Sequence, residues 1–167
     1  MSLVRKAHAF AAKAHAGVFR MGSGEPYVEH AERVAASIAA LGFPAEVVAA
    51  AYLHDVVEDC GVSPEELAVE FSPRIAALVV EVSNPKKIPG MSKAERLAGV
   101  VKHLAASSYA GASIKLADML DNSSNVSSVA PEFAKGYLPK MAAKLAVLGH
   151  GHPELFARVA KNLEISS

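Results

Sequence analysis

Apolar residues return every three or four positions along most of the chain, and no stretch holds the every-second-residue alternation of a strand. That period predicts a first helix over 2–16, closed by Gly17. It predicts a second over 28–41, stopped by Gly42, and a third over 44–59, stopped by Gly61. Between the first two lies VFRMGSGEPY, a Gly-rich loop with one proline. Ser63-Pro64-Glu65-Glu66 opens the next helix with a capping hydroxyl, a proline at the first helical position and a glutamate at the capping-box position. Ser72-Pro73 opens another that runs to about Val82. After the two-proline loop SNPKKIPGMS, Ser92 and Glu95 form a second capping box, and helices are predicted at 93–106, 112–126, 132–148 and 153–164. No repeat or linker interrupts the series, so the pattern predicts one all-α domain.

Composition narrows this without redirecting it. The 167 residues are 51% hydrophobic, enough for a sizeable core and too apolar for a disordered chain. Formal net charge is zero, so no global field draws nucleic acid or an anionic membrane, and an anion must be held by a local cluster. The single cysteine, Cys60, excludes an internal disulfide framework and fits a reducing compartment. Arg5, Lys6 and Lys13 break up the N-terminal apolar stretch that a secretory signal needs. No uncharged run reaches the roughly 18 residues of a membrane span. The expectation is a soluble cytoplasmic domain.

The third predicted helix carries unusual chemistry. AAAYLHDVVEDCG sets His54, Asp55, Glu58 and Asp59 among apolar residues and offers no Lys or Arg. At about 100° per residue the four polar positions share an arc of roughly 140° on an ideal helix. A solvated polar face is one reading. Against it, three like charges at spacings of three and four repel one another, and they stand in a last turn where the helix dipole disfavours negative charge. A divalent cation bound by His54 and Asp55 would supply the missing charge. SIKLADMLDNSSNV gives a second polar stripe, Lys115, Asp118, Asn122 and Asn125, on an otherwise apolar helix. There Asp118 either pairs with Lys115 or serves a ligand, because an unpartnered buried carboxylate is costly. His30, in SGEPYVEHAERV, stands near the start of the second helix.

Together, His30, the pair His54-Asp55 and the later Asp118 resemble the HD-domain metal phosphohydrolases in type and order. SGEPYVEH, AAYLHDVVED and IKLADMLDN look like the RelA/SpoT-type guanosine polyphosphate hydrolases, as do the HAG and Arg20 before the first motif and PEELAVEF after the second. The likeness covers about residues 7–126, with C-terminal helices at 132–164 completing a single domain over 1–167. It implies a PDEase-like helical bundle holding one Mn²⁺ on His30, His54, Asp55 and Asp118. It also implies that Glu58 and Asp59 position and deprotonate the attacking water. The implied reaction is hydrolysis of the 3′-pyrophosphate of ppGpp or pppGpp to GDP or GTP and pyrophosphate. Asn122 matches the position that contacts the ribose. Arg20 and Ser23 fall in the motif that meets base or phosphates, Lys115 orients Asp118 or screens phosphate, and Tyr137 lies with Lys140 and Lys144 on the following helix. The partner is thus a small-molecule nucleotide, with no nucleic acid and no membrane.

Three departures are visible: Met119 stands where the family has Arg or Lys, Ala31 where it has Pro, and the FRMGSGEPY loop carries one residue more than the common pattern between Arg20 and Ser23. They are expected to bear on the substrate pocket, leaving open adenosine alarmones or the 2′-phosphate of a nicotinamide dinucleotide. A nucleoside 5′-monophosphatase would share the ligands but not explain SGEPY or Asn122. A non-catalytic nucleotide-binding module would be expected to lose ligands or the Glu58-Asp59 pair. Cys60, without a basic neighbour in sequence, is a poor nucleophile; His8 and His15 suit packing, and His150 and His152 suit a turn capping the last helix.

Overall fold

The computed structural model describes residues 1–124, 126 and 130–164. These residues are helical throughout, with α1 Leu3–Ala14, α2 Tyr27–Ala40, α3 Ala45–Tyr52, α4 Val56–Asp59, α5 Pro64–Glu70, α6 Pro73–Val82, α7 Lys93–Ala105, α8 Tyr109–Ser123, α9 Pro131–Leu145 and α10 Pro153–Glu164. Among the described residues there is no strand; one isolated antiparallel bridge joins Phe19 to Pro26. None of their helices is long and apolar enough to cross a membrane. The all-α expectation holds. Asn125, placed by its spacing on the stripe of Asp118, lies outside the described residues.

The chain divides into two compact units, Met1–Ser83 and Asn84–Ser167. In the first, α3 is the central element, buried from Val47 to Ala51 and packed on α1, α2 and α6. Ala7 and Ala11 of α1, Val34, Ala35 and Ile38 of α2, and Ile75, Val79 and Val82 of α6 close around it. In the second, α8 takes that place: Ala112, Ile114, Leu116, Ala117 and Met119 are all buried, and α9 and α10 pack on it. The loop before α10 comes so close that a Cβ on Gly151 would sit 2.6 Å from Leu116 Cδ1. Met119 and Ala31 are core residues, 2% and 1% exposed, so these two of the three departures from the family pattern fall in the packing rather than on a substrate-facing surface.

The capping signals translate directly. Ser63, Ser72 and Ser92 each accept a backbone N–H from three residues on, at 3.1, 3.2 and 3.2 Å, and Glu95 returns the bond to the Ser92 N–H at 2.8 Å. Such caps contribute about 1 kcal/mol each. Gly42 ends α2 with φ of 76°, a conformation closed to most side chains. Ser108 also caps, so α8 starts at Tyr109, three residues before the predicted 112.

One prediction fails usefully. Residues 44–59 are two helices, not one, and the break falls on Leu53, His54 and Asp55. Leu53 (φ −95°, ψ 0°) and Asp55 (φ −106°, ψ −4°) both lie near the sparsely populated bridge region of backbone space. Leu53 and Val56 are fully buried on either side and pin the turn. The common arc of His54, Asp55, Glu58 and Asp59 therefore does not exist as an ideal-helix surface.

Candidate metal centre

The break in α3–α4 presents two potential ligands from adjacent residues. His54 is 1% exposed, and its Nδ1 lies 2.8 Å from the main-chain oxygen of Ala51. A carbonyl only accepts, so Nδ1 carries a proton, and Nε2 is the ring nitrogen that faces Asp55. Asp55 Oδ2 is 2.9 Å from that Nε2, and its side chain is 14% exposed. The third donor comes from α2. Residues 30, 34 and 38 are spaced by four, so His30 sits at the N-terminal end of the stripe that buries Val34 and Ile38. His30 Nε2 is 3.3 Å from His54 Nε2 and 3.8 Å from Asp55 Oδ2.

Three donor atoms thus converge within one small triangle. Bonds of about 2.1 Å to a common ion, set at angles of about 90–110°, place donors roughly 3.0–3.4 Å apart. The 3.3 Å edge lies in that span, the 2.9 Å edge falls just short of it and the 3.8 Å edge is wider. Mixed imidazole and carboxylate donors suit a borderline divalent ion. The residues fit a metal, and this His-His-Asp set is the part of the expected ligand group that the first unit assembles.

Around the triangle the first unit supplies support. The loop before α2 folds back on itself: Arg20 N–H donates to Glu25 O at 2.9 Å, and Tyr27 N–H donates to Val18 O at 2.9 Å. That brings Arg20 Nη1 to 3.4 Å from His30 Nδ1 and 3.6 Å from Glu25 Oε1. Ser23 is exposed and its hydroxyl accepts from Glu25 N–H at 3.4 Å, so this expected substrate contact also shapes the turn. The Tyr27 hydroxyl donates to Asp55 Oδ2 at 2.5 Å. Neither Tyr27 nor the His15 stacked on it at 4.6 Å stood among the expected site residues. The HAG and PY of the quoted motifs were their only trace.

Glu58 and Asp59 project from α4, both exposed at the residue level. Loss of water around its carboxyl pushes the Asp59 pKa up despite that exposure, and the charges of Asp55 and Glu58 push the same way; a hydrogen bond from Tyr27 and the His54 ring oppose them. Cys60 does have a basic neighbour, with Sγ 3.2 Å from His15 Nδ1. Burial, then Asp59 and Asp55, still raise its thiol to about 11, so it stays protonated and unreactive. Burial is also the main cause of a lowered pKa at His15.

The remaining expected residues belong to the second unit. On α8, Asp118 pairs with Lys115 at 2.8 Å through Oδ2, and Asn122 Nδ2 donates to its Oδ1 at 2.5 Å. Lys115 and Asp118 are both 5% exposed. The local pairing left open by the sequence is therefore present. Tyr137, on α9, stacks on Phe133 at 4.9 Å. His152 caps as expected, its Nδ1 accepting from Glu154 N–H at 3.3 Å.

With this geometry in view, comparison with known proteins places the fold and its motifs. An HD-domain family model matches residues 7–142. The chain belongs to the HD-domain family. A guanosine-3′,5′-bis(diphosphate) 3′-pyrophosphohydrolase of Vibrio cholerae is 33% identical over 132 residues, covering 77% of this chain and 19% of that protein. The Danio rerio protein named guanosine-3′,5′-bis(diphosphate) 3′-pyrophosphohydrolase MESH1 is 37% identical over 111 residues, 65% of this chain and 60% of its own length. The chain spans about a fifth of the Vibrio protein's length. A solved structure described as a metazoan ortholog of SpoT that hydrolyzes ppGpp superimposes with a TM-score of 0.87 at 28% identity, over 99% of this chain and 96% of that one. The resemblance to the RelA/SpoT type, first carried by short motifs, thus extends to the whole fold.

Proposed function

We propose that this chain is a Mn²⁺-dependent hydrolase of the 3′-pyrophosphate of ppGpp or pppGpp, a cytoplasmic protein built as one HD-type domain. The observation that carries the proposal is the donor triangle of His30, His54 and Asp55, held in a fold shared with relatives named for this hydrolysis. Asp118 completes the ligand set in this reading, with Lys115 orienting its carboxylate. An ion held by these residues would supply Lewis acidity toward a phosphate oxygen. Glu58 and Asp59 hold the attacking water and take its proton; a carboxylate with a raised pKa is the stronger base. The water oxygen bonds to the phosphorus joined to the ribose 3′ oxygen, the bond from that phosphorus to the 3′ oxygen breaks, and the proton taken from the water passes to the 3′ oxygen, which leaves as the alcohol. Arg20, Ser23, Asn122 and Tyr137 serve the nucleotide, with Asn122 at the ribose.

The test is product analysis of metal-stripped protein incubated with ppGpp, with and without Mn²⁺. Mn²⁺-dependent release of GDP and pyrophosphate is expected. Orthophosphate from nucleoside 5′-monophosphates, with ppGpp left intact, would replace this reading by a nucleotidase. Nucleotide bound without turnover in the presence of Mn²⁺ would replace it by a binding module.

A further inference from the structure

Asp55 Oδ2 is one vertex of the donor triangle, 2.9 Å from His54 Nε2 and 3.8 Å from His30 Nε2, on a side chain at the break before α4. What holds that oxygen in place comes from another helix. Tyr27, the first residue of α2, donates its hydroxyl to Oδ2 at 2.5 Å. It lies three residues before His30, so one turn of α2 delivers one ligand and restrains another. The ring is fixed on both sides. His15 stacks on it with centroids 4.6 Å apart and planes 28° apart, and His30 meets it edge-on at 5.5 Å. His15 is itself anchored: it is 3% exposed, its N–H donates to Ala11 O at 2.9 Å, and Cys60 Sγ lies 3.2 Å from its Nδ1.

We propose that Tyr27 is a positioning residue of the metal centre, its hydroxyl holding Asp55 Oδ2 at the vertex, with His15 as the stacked support that aims the ring. A phenol suits this task. It donates one hydrogen bond to a carboxylate oxygen, leaves that oxygen's second lone pair for an ion, and adds no charge that would compete with one. The inference rests on the metal-dependent reading above.

Because the same hydroxyl also reaches Asp59, turnover would mix two effects. Metal affinity separates them. The experiment titrates metal-free wild type and Tyr27→Phe with Mn²⁺, reading free Mn²⁺ by electron paramagnetic resonance, alongside circular dichroism and thermal melting of each metal-free protein. Tyr27→Phe keeps the ring and its stacking and loses only the hydroxyl. The expected result is Mn²⁺ affinity weaker by about 10–100-fold, the usual scale for an outer hydrogen bond to a ligand, with the metal-free melting unchanged. His15→Ala, which withdraws the stacked support and keeps the hydroxyl, is the second variant and is expected to weaken affinity by less. Wild-type affinity in both variants overturns the inference while leaving metal dependence intact. Failure of the wild type to bind Mn²⁺ overturns both. Bound Mn²⁺ without ppGpp cleavage sinks the substrate reading alone and leaves this one standing.

Discussion

Each unit of the molecule buries one carboxylate among polar partners, and the two do it in opposite ways. On α8, Asp118 meets Lys115 of the preceding turn at 2.8 Å and Asn122 of the following turn at 2.5 Å. Ammonium and amide are bound into one helix, and the arrangement is a local structural solution. In the first unit, Asp55 faces two imidazole nitrogens at 2.9 and 3.8 Å and a tyrosine hydroxyl, two of these partners from α2 and one from the break between α3 and α4. That convergence falls at a break in the helix that the burial of Leu53 and Val56 imposes. The difference separates a carboxylate positioned largely by its own helix from one met by side chains of other segments.

The widest break between the two regions is expected from Asp55→Ala. Removing the vertex should abolish Mn²⁺ binding and turnover together, a loss of several kcal/mol at the transition state and therefore about 10⁴-fold or more in rate. The metal-free variant should melt no lower than wild type, since the repulsion of Asp55 with Asp59 goes with it. A variant that binds Mn²⁺ normally would show that the triangle is not the metal site. Glu58→Gln should divide these effects, sparing metal affinity and slowing turnover by about 10²–10⁴-fold, as removal of a general base does. Full activity in that variant would take Glu58 out of the mechanism.

The second unit should respond through stability. Lys115→Met keeps the length of the side chain and takes the ammonium away from Asp118, which is 5% exposed. Breaking a buried pair from one side costs about 3–5 kcal/mol, or roughly 6–20 °C of melting temperature for a chain of this size. Thermal melting of the metal-free protein is the measurement. A drop of only a degree or two would mean that Asp118 is served mainly by other partners.

These contrasts also explain what the sequence could reveal. Capping was legible because Ser63, Ser72 and Ser92 act within four residues, where geometry follows from spacing. His30, His54, Asp55 and Asp118 stood out by residue type and order. The break at residues 53–55 left no local sign: no glycine or proline marks it, and Leu53 and Val56 suit one continuous helix as well as two. It is imposed by tertiary burial of those two side chains and by the Ala51 carbonyl taking the His54 ring. Tyr27 and His15 escaped for a related reason, since an aromatic at helical spacing reads as core until its hydroxyl is seen to land on a carboxylate.

The smallest expected effect concerns pH and probes coupling among the acids of α4. Desolvation raises the Asp59 pKa first, and the charges of Asp55 and Glu58 add to it. A base works only when deprotonated, so the acid limb of kcat should lie at higher pH than an ordinary aspartate would give. Neutralising Glu58 removes one of the raising charges. The residual activity of Glu58→Gln should therefore carry its acid limb to lower pH, by a fraction of a unit. Stability has its own sign. A carboxyl held more tightly protonated in the folded state favours folding below its unfolded pKa, and that contribution is lost as pH rises through the raised folded value. The same variant, metal-free, should lose less stability across that window, read by denaturant titration at a series of pH values. A limb that stays in place while turnover falls would assign the titration to a group other than Asp59, and the water's proton would then need a different acceptor.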